Sequence, residues 1–260
     1  MIEGNNTIKI SVTTDAGSIY EERKVIYIKE EKRLALVIGN SNYSDGWDPL
    51  RCSIKDAKDM EAKLRALGFV VITAFDADGP SMEKSAQEFL MEAQSYDVAL
   101  FYYSGHAMQH DDLNYLIPIG VKTNSVKDLK YKCLTANSVL DNLESKAKIC
   151  ILDACRTHPP KNWINTKGLT NRQGLSSMSA EGTYIAYATA PGTEAIDGPI
   201  DSFNQNSPYT EAILEFIDTP NLKLEDLFKK VRIEVKRKTN GTQVPWSTSS
   251  FEGDFYFKKY

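Results

Sequence analysis

Two residues that could act as a nucleophile and base pair stand where apolar runs end: His106 in FYYSGHAMQH and Cys155 in ICILDACRTHPP. A free thiol titrates near 8.5 and is mostly protonated at neutral pH. An adjacent imidazole raises the thiolate fraction and can later protonate a leaving amine. Of the three histidines in the chain, His106 and His110 both lie in the first stretch. Taken singly, a cysteine at a strand end is more often a small buried hydrophobe, and a histidine more often a hydrogen-bonded surface residue. Placed together at matched strand ends, they point to nucleophilic catalysis.

The matching of those ends depends on the elements that carry them. From Arg33 onward, short apolar runs alternate with helical periodicity, the pattern of β-α-β units and a mostly parallel sheet. Strands are expected at RLALVIG, FVVITAF, DVALFYY, KICILDA and TYIAYAT, with a sixth at DFYFK near the end of the chain. Helices are expected near Ile54 to Leu67, Met82 to Gln94, Thr135 to Glu144, Pro208 to Ile217 and Leu224 to Arg237. His106 then follows the carboxyl end of one strand and Cys155 the end of the next, the edge of an open parallel sheet at which ligands sit. Residues 1–31 differ: Ile8, Ile10 and Val12 alternate with polar neighbours and a turn falls at Asp15-Ala16-Gly17, giving a β-hairpin. A lone hairpin is marginal in water, so it either packs on the main domain, residues 32–260, or is the remnant of an upstream β-sandwich module.

Composition narrows the class. A net charge of -4 and a pI near 5.5 argue against a nucleic-acid surface. The basic run KKVRIEVKRK is spaced as the wet face of an amphipathic helix. No stretch approaches the roughly 20 apolar residues of a membrane helix, and the start lacks the regions of a signal peptide, so no membrane partner and a cytoplasmic location are expected. Cys52, Cys133, Cys150 and Cys155 show no C-x-x-C spacing, which suits free thiols in a reducing compartment. The chain also lacks the glycine patterns of nucleotide-binding loops after its first parallel strand.

His106 precedes Cys155 by 49 residues, close to the ≈ 50 that separates the caspase histidine from its Q-A-C-[RQG]-G cysteine. Over Arg33 to Tyr260 the chain resembles the caspase-like (clan CD, C14) cysteine peptidases, closest to prokaryotic caspase homologues and paracaspases. The motifs are RLALVIGNSNY, SIKDAKDMEAKLRALGF, FYYSGHAMQ, NYLIP, LDACR, AYATAPGTEAIDG, NSPYTEAIL and QVPWSTSSFEGDFYF. The resemblance implies a six-stranded sheet sandwiched by helices, with a p20-like part over residues 32–156, a linker loop over 157–182 and a p10-like part over 183–260. It implies His106 as general base and acid and Cys155 as the attacking thiolate, with backbone N–H groups of Ala107 and Cys155 forming the oxyanion hole. The family usually has Gly after the histidine; Ala107 would be strained there if the position required a positive φ.

LDACR carries Asp153 where the caspase motif has Gln. Paracaspases and metacaspases use acidic residues to bind Arg or Lys at P1, so the resemblance implies an acidic S1 pocket from Asp56, Asp153 and Asp197. The expected partners are therefore protein or peptide substrates with Arg or Lys at P1, and the resemblance leaves an activating partner or a homodimer open. No cofactor is expected. The calcium of metacaspases needs an acidic cluster that YLIPIGVKTNSVKD lacks, and Asp111-Asp112 reads as a solvated turn. Lys161, Lys167 and Arg172, in the loop matching the caspase subunit junction, are candidates for self-cleavage. The competing function is a catalytically weak or inactive caspase-like interaction module, since a fold does not ensure chemistry.

Overall fold

The computed structural model describes residues 4–27, 30–156, 163, 175–178, 181–190, 195–198 and 205–259, in two units, Met1–Glu31 and Lys32–Tyr260. The first unit is an antiparallel hairpin of β1 (Gly4–Thr14) and β2 (Gly17–Tyr27). Its turn closes at Gly17, whose φ of 129° suits a residue without Cβ. Ile8, Ile10, Val12 and Ile19 fall on one face of it and are exposed.

The second unit runs β3 (Arg33–Gly39), α1 (Ser53–Ala66), β4 (Phe69–Phe75), α2 (Gly79–Ala93), β5 (Val98–His110), β6 (Leu113–Leu116), α3 (Val126–Lys132), β7 (Leu134–Thr135), α4 (Ala136–Asp141), β8 (Ala147–Arg156), β9 (Thr183–Tyr187), α5 (Pro208–Phe216), α6 (Leu224–Lys238) and β10 (Trp246–Ser249). The main sheet is ordered β10-β9-β8-β5-β3-β4, parallel except for β10, with β6 and β7 extending it from the far end of β5.

Strand period decides the layering. Ala35 and Val37 of β3 pack with α1, α5 and α6, through Met60, Ile213 and Val231 among others. Leu34, Leu36 and Ile38 face the other way, toward Phe89 of α2 and Val139 of α4. Both faces are covered, which is why the parallel strands read as unbroken apolar runs.

The expected sixth strand at DFYFK is not one. Lys223 and Tyr256 form an isolated bridge, while Phe255 and Phe257 are buried beside the helices of the first face. The sixth strand of the main path is β10, antiparallel at the edge, with Trp246 exposed. Asp111 and Asp112, with φ of 48° and 60°, make the two-residue turn between β5 and β6, the conformation favoured in tight hairpins. Among the described residues no helix is long and apolar enough to cross a membrane.

Candidate active site

β5 and β8 do not stop before the two candidate catalytic residues, as their apolar runs suggest. They pair in parallel from Val98↔Ala147 to Ala107↔Arg156, so His106 and Cys155 are register partners inside the ladder. Cys155 stands two residues beyond Asp153, as His106 stands two beyond Ser104.

The surroundings of His106 come from the loop between β3 and α1. The ring Nε2 lies 2.7 Å from the backbone carbonyl oxygen of Asp48. A carbonyl only accepts, so Nε2 carries the hydrogen, and in the neutral ring Nδ1 is left with the lone pair. Tyr43 and Trp47 cover the imidazole, with ring centroids 4.4 and 5.7 Å away. His106 itself is buried. Met108, Tyr115, Ile117, Leu129 and Trp163 complete this apolar cluster, and Trp163 donates from Nε1 to Thr123 Oγ1 at 3.2 Å.

Ala107 is buried and is not among the residues with positive φ, so replacing the family's glycine brings no backbone strain. His106 directs its carbonyl to the Ile117 N–H and its N–H to the Tyr43 hydroxyl, away from β8. By alternation along a strand, Ala107 turns its backbone groups toward β8, and Cys155 turns its own toward β5. Both expected oxyanion donors therefore lie within the β5–β8 ladder.

The three aspartates gather beneath the amino ends of α1 and α5. Asp153 is buried on β8, and its Oδ2 accepts hydrogen bonds from the hydroxyls of Ser207 and Thr210, the latter at 2.7 Å. Asp56 is buried on α1; its Oδ1 accepts from Asn206 Nδ2 and the Ser207 N–H, both at 3.0 Å, and its Oδ2 lies 3.5 Å from Ser104 Oγ. Ser207 thus binds both carboxylates while capping α5, its Oγ accepting the Thr210 N–H at 3.0 Å. Asp197 accepts the N–H of Arg51 at 2.7 Å and that of Cys52 at 3.2 Å, just before α1, while Ser41 Oγ accepts the Ile54 N–H of its first turn at 3.1 Å.

Burial dominates the electrostatics. It raises Asp56 well above the ordinary carboxylate value, helped by the neighbouring charge of Asp153. It raises Asp153 to about 6 against the opposing hydrogen bonds of Ser207 and Thr210. It raises Asp197 despite the amides that bind it. Asp153 and Asp197 penalise the ionisation of Asp56, and Asp197 that of Asp153. Burial pushes the Cys133 thiol up to about 12 and the Cys150 thiol up as well, so neither is a thiolate near neutral pH.

Ser207, Thr210, Asn206, Tyr43 and the Asp48 carbonyl were not among the sequence candidates. Lys161, Lys167 and Arg172 lie outside the described residues. Among the described residues no group of three or more His, Cys, Asp or Glu is placed to hold a metal ion.

The caspase domain family (Peptidase C14) matches residues 32–256. This chain belongs to that family. It is 24% identical over 168 residues to the human mucosa-associated lymphoid tissue lymphoma translocation protein 1, and 24% identical over 170 residues to the mouse homolog. Each match covers 64% of this chain and 19% of the relative, so the chain spans about a fifth of the length of these proteins.

Proposed function

We propose that this caspase-domain chain is a cysteine endopeptidase that cleaves after Arg or Lys. The observation that carries the reading is the pairing of His106 with Cys155 two residues beyond Ser104 and Asp153, next to three gathered carboxylates. In the reaction, Nδ1 of His106 takes the Cys155 thiol proton and the thiolate adds to the scissile carbonyl. The resulting oxyanion is held by the Ala107 and Cys155 amides, donors commonly worth ≈ 10²–10³ in rate. The imidazolium gives its proton to the leaving amine, and water then hydrolyses the thioester with His106 as base. Since both amides lie in the ladder, β5 and β8 must part beyond Gly105 to receive the oxyanion, a step that an activating partner, a homodimer or substrate could drive.

In this reading Asp56 and Asp153 form the floor of S1. Asp197 adds its charge to one wall while holding the loop that carries Asp48. A guanidinium or ammonium entering there meets carboxylates whose mutual repulsion it relieves. The test is cleavage profiling on a peptide library, with labelling by an arginyl chloromethylketone. Cleavage after Arg or Lys and modification lost in Cys155→Ala are expected. Cleavage after Asp alone would sink the basic P1 assignment, and absence of labelling and turnover would leave an interaction module.

A further inference from the structure

β3 pairs with β5 only as far as Gly39↔Ser104, so two residues later β5 has no β3 backbone to bond. Tyr43, in the loop that leaves β3, fills the gap. Its hydroxyl accepts the His106 N–H at 3.0 Å and donates to the Ile117 carbonyl at 3.0 Å. Its ring lies against the imidazole at 4.4 Å, tilted by 44°. Tyr103 holds the other side of the same residue, donating to the His106 carbonyl at 2.6 Å. Gly105 makes room for both: a Cβ there would stand 2.7 Å from the Tyr43 hydroxyl and 2.6 Å from that of Tyr103.

The same loop bears the Asp48 carbonyl that takes the imidazole Nε2 hydrogen. Internal bonds keep it short, Trp47 N–H to Ser44 carbonyl at 3.2 Å and Leu50 N–H to Ser41 carbonyl at 3.0 Å. One buried side chain therefore fixes the histidine backbone and the origin of the loop that sets its ring.

We propose that Tyr43 is a positioning residue for His106: its hydroxyl ties the loop to β5 so that Nε2–H stays on the Asp48 carbonyl and Nδ1 remains the base. The kinetic consequence rests on the peptidase reading, whereas the tautomer consequence does not. A ring free to turn would share its hydrogen between the two nitrogens and offer the wrong one to the thiol for part of the time.

The test compares wild type with Tyr43→Phe, which keeps the ring and removes the hydroxyl. Ring ¹⁵N chemical shifts, assigned with His110→Gln and His158→Gln, read the tautomer directly and need no turnover. Wild type should show a single Nε2–H tautomer, and Tyr43→Phe a mixture. On an Arg peptide, kcat should fall about tenfold or more while KM stays within about twofold, the loss expected when a general base is misaligned. Tyr187→Phe removes another buried hydroxyl, one that accepts the Met178 N–H at 2.8 Å, and serves as the control for lost stability. It should lower the melting temperature and leave both readouts unchanged. An unaltered His106 spectrum in folded Tyr43→Phe would overturn the proposal, as would equal changes in Tyr187→Phe. If wild type turns nothing over, the peptidase reading fails and the spectra still decide the role of Tyr43.

Discussion

His106 and Cys155 are Cα partners in the parallel ladder of β5 and β8. That relationship ties the proposed base and nucleophile to the carboxyl ends of two neighbouring strands and not to separate loops. His106→Ala and Cys155→Ala should each lower turnover of Arg and Lys peptides to background. Cys133→Ala and Cys150→Ala should keep it within about twofold, since their thiols are held protonated by burial. Cys150→Ala leaves a small gap in a packed strand, at a cost of about 1 kcal/mol in denaturant unfolding. Loss of activity with retained stability in Cys150→Ala would contradict the assignment of the nucleophile.

β3 was legible to the residue because a strand covered on both faces must be apolar throughout, and β4, an edge strand with Val70 exposed, because β-branched and aromatic residues fill FVVITAF. β10 was not: WSTS lies at the sheet edge, partly wet, and carries no core pattern. DFYFK does carry one, but Phe255 and Phe257 answer to helices rather than to a neighbouring strand. The site divides the same way. Asp153 came from the family resemblance of LDACR, and His106 and Cys155 from chemistry at strand ends. The Asp48 contact leaves no trace in residue type because a backbone carbonyl makes it. Ser207 reads only as a helix cap, and its hold on Asp56 and Asp153 spans 151 and 54 residues of chain.

Lys161, Lys167 and Arg172 follow Cys155 in a stretch whose Gly, Asn and Ser suit an extended substrate. If the proposed peptidase activity cuts this chain there, intact mass should reveal fragments ending at one of these residues in wild type and none in Cys155→Ala. An uncut, fully active chain would rule self-processing out.

Three carboxylates raised by desolvation contribute to the pH dependence of stability. Asp56, Asp153 and Asp197 all titrate higher in the folded chain than the usual 3.8. Between about pH 4 and 6 the folded state therefore binds more protons than the unfolded one. Their contribution is present below about pH 4 and is lost as pH rises through the folded values. For Asp153, raised from 3.8 to about 6, this amounts to about 3 kcal/mol at neutral pH. Urea midpoints of wild type should rise from pH 7 to pH 5, and Asp153→Asn should flatten that rise. An equal slope in the two proteins would show that Asp153 is ionised at no unusual cost.

Binding of a basic side chain should reverse that titration. A guanidinium beside Asp56 and Asp153 favours their charged forms, lowers both pKa values and expels a proton that burial had retained. Agmatine, which carries the arginine guanidinium on a short chain, can probe the site in Cys155→Ala without turnover. Its affinity should be greatest above about pH 7. Below about pH 6 it should weaken by up to about tenfold per pH unit, the limit for one proton released per ligand bound. Calorimetry at pH 6 in two buffers of different ionisation enthalpy should give heats that differ by the protons released. Asp153→Asn should bind more weakly at pH 7.5 and release fewer. Affinity independent of pH from 5 to 8, or equal binding to Asp153→Asn, would separate the acidic cluster from recognition of the P1 residue.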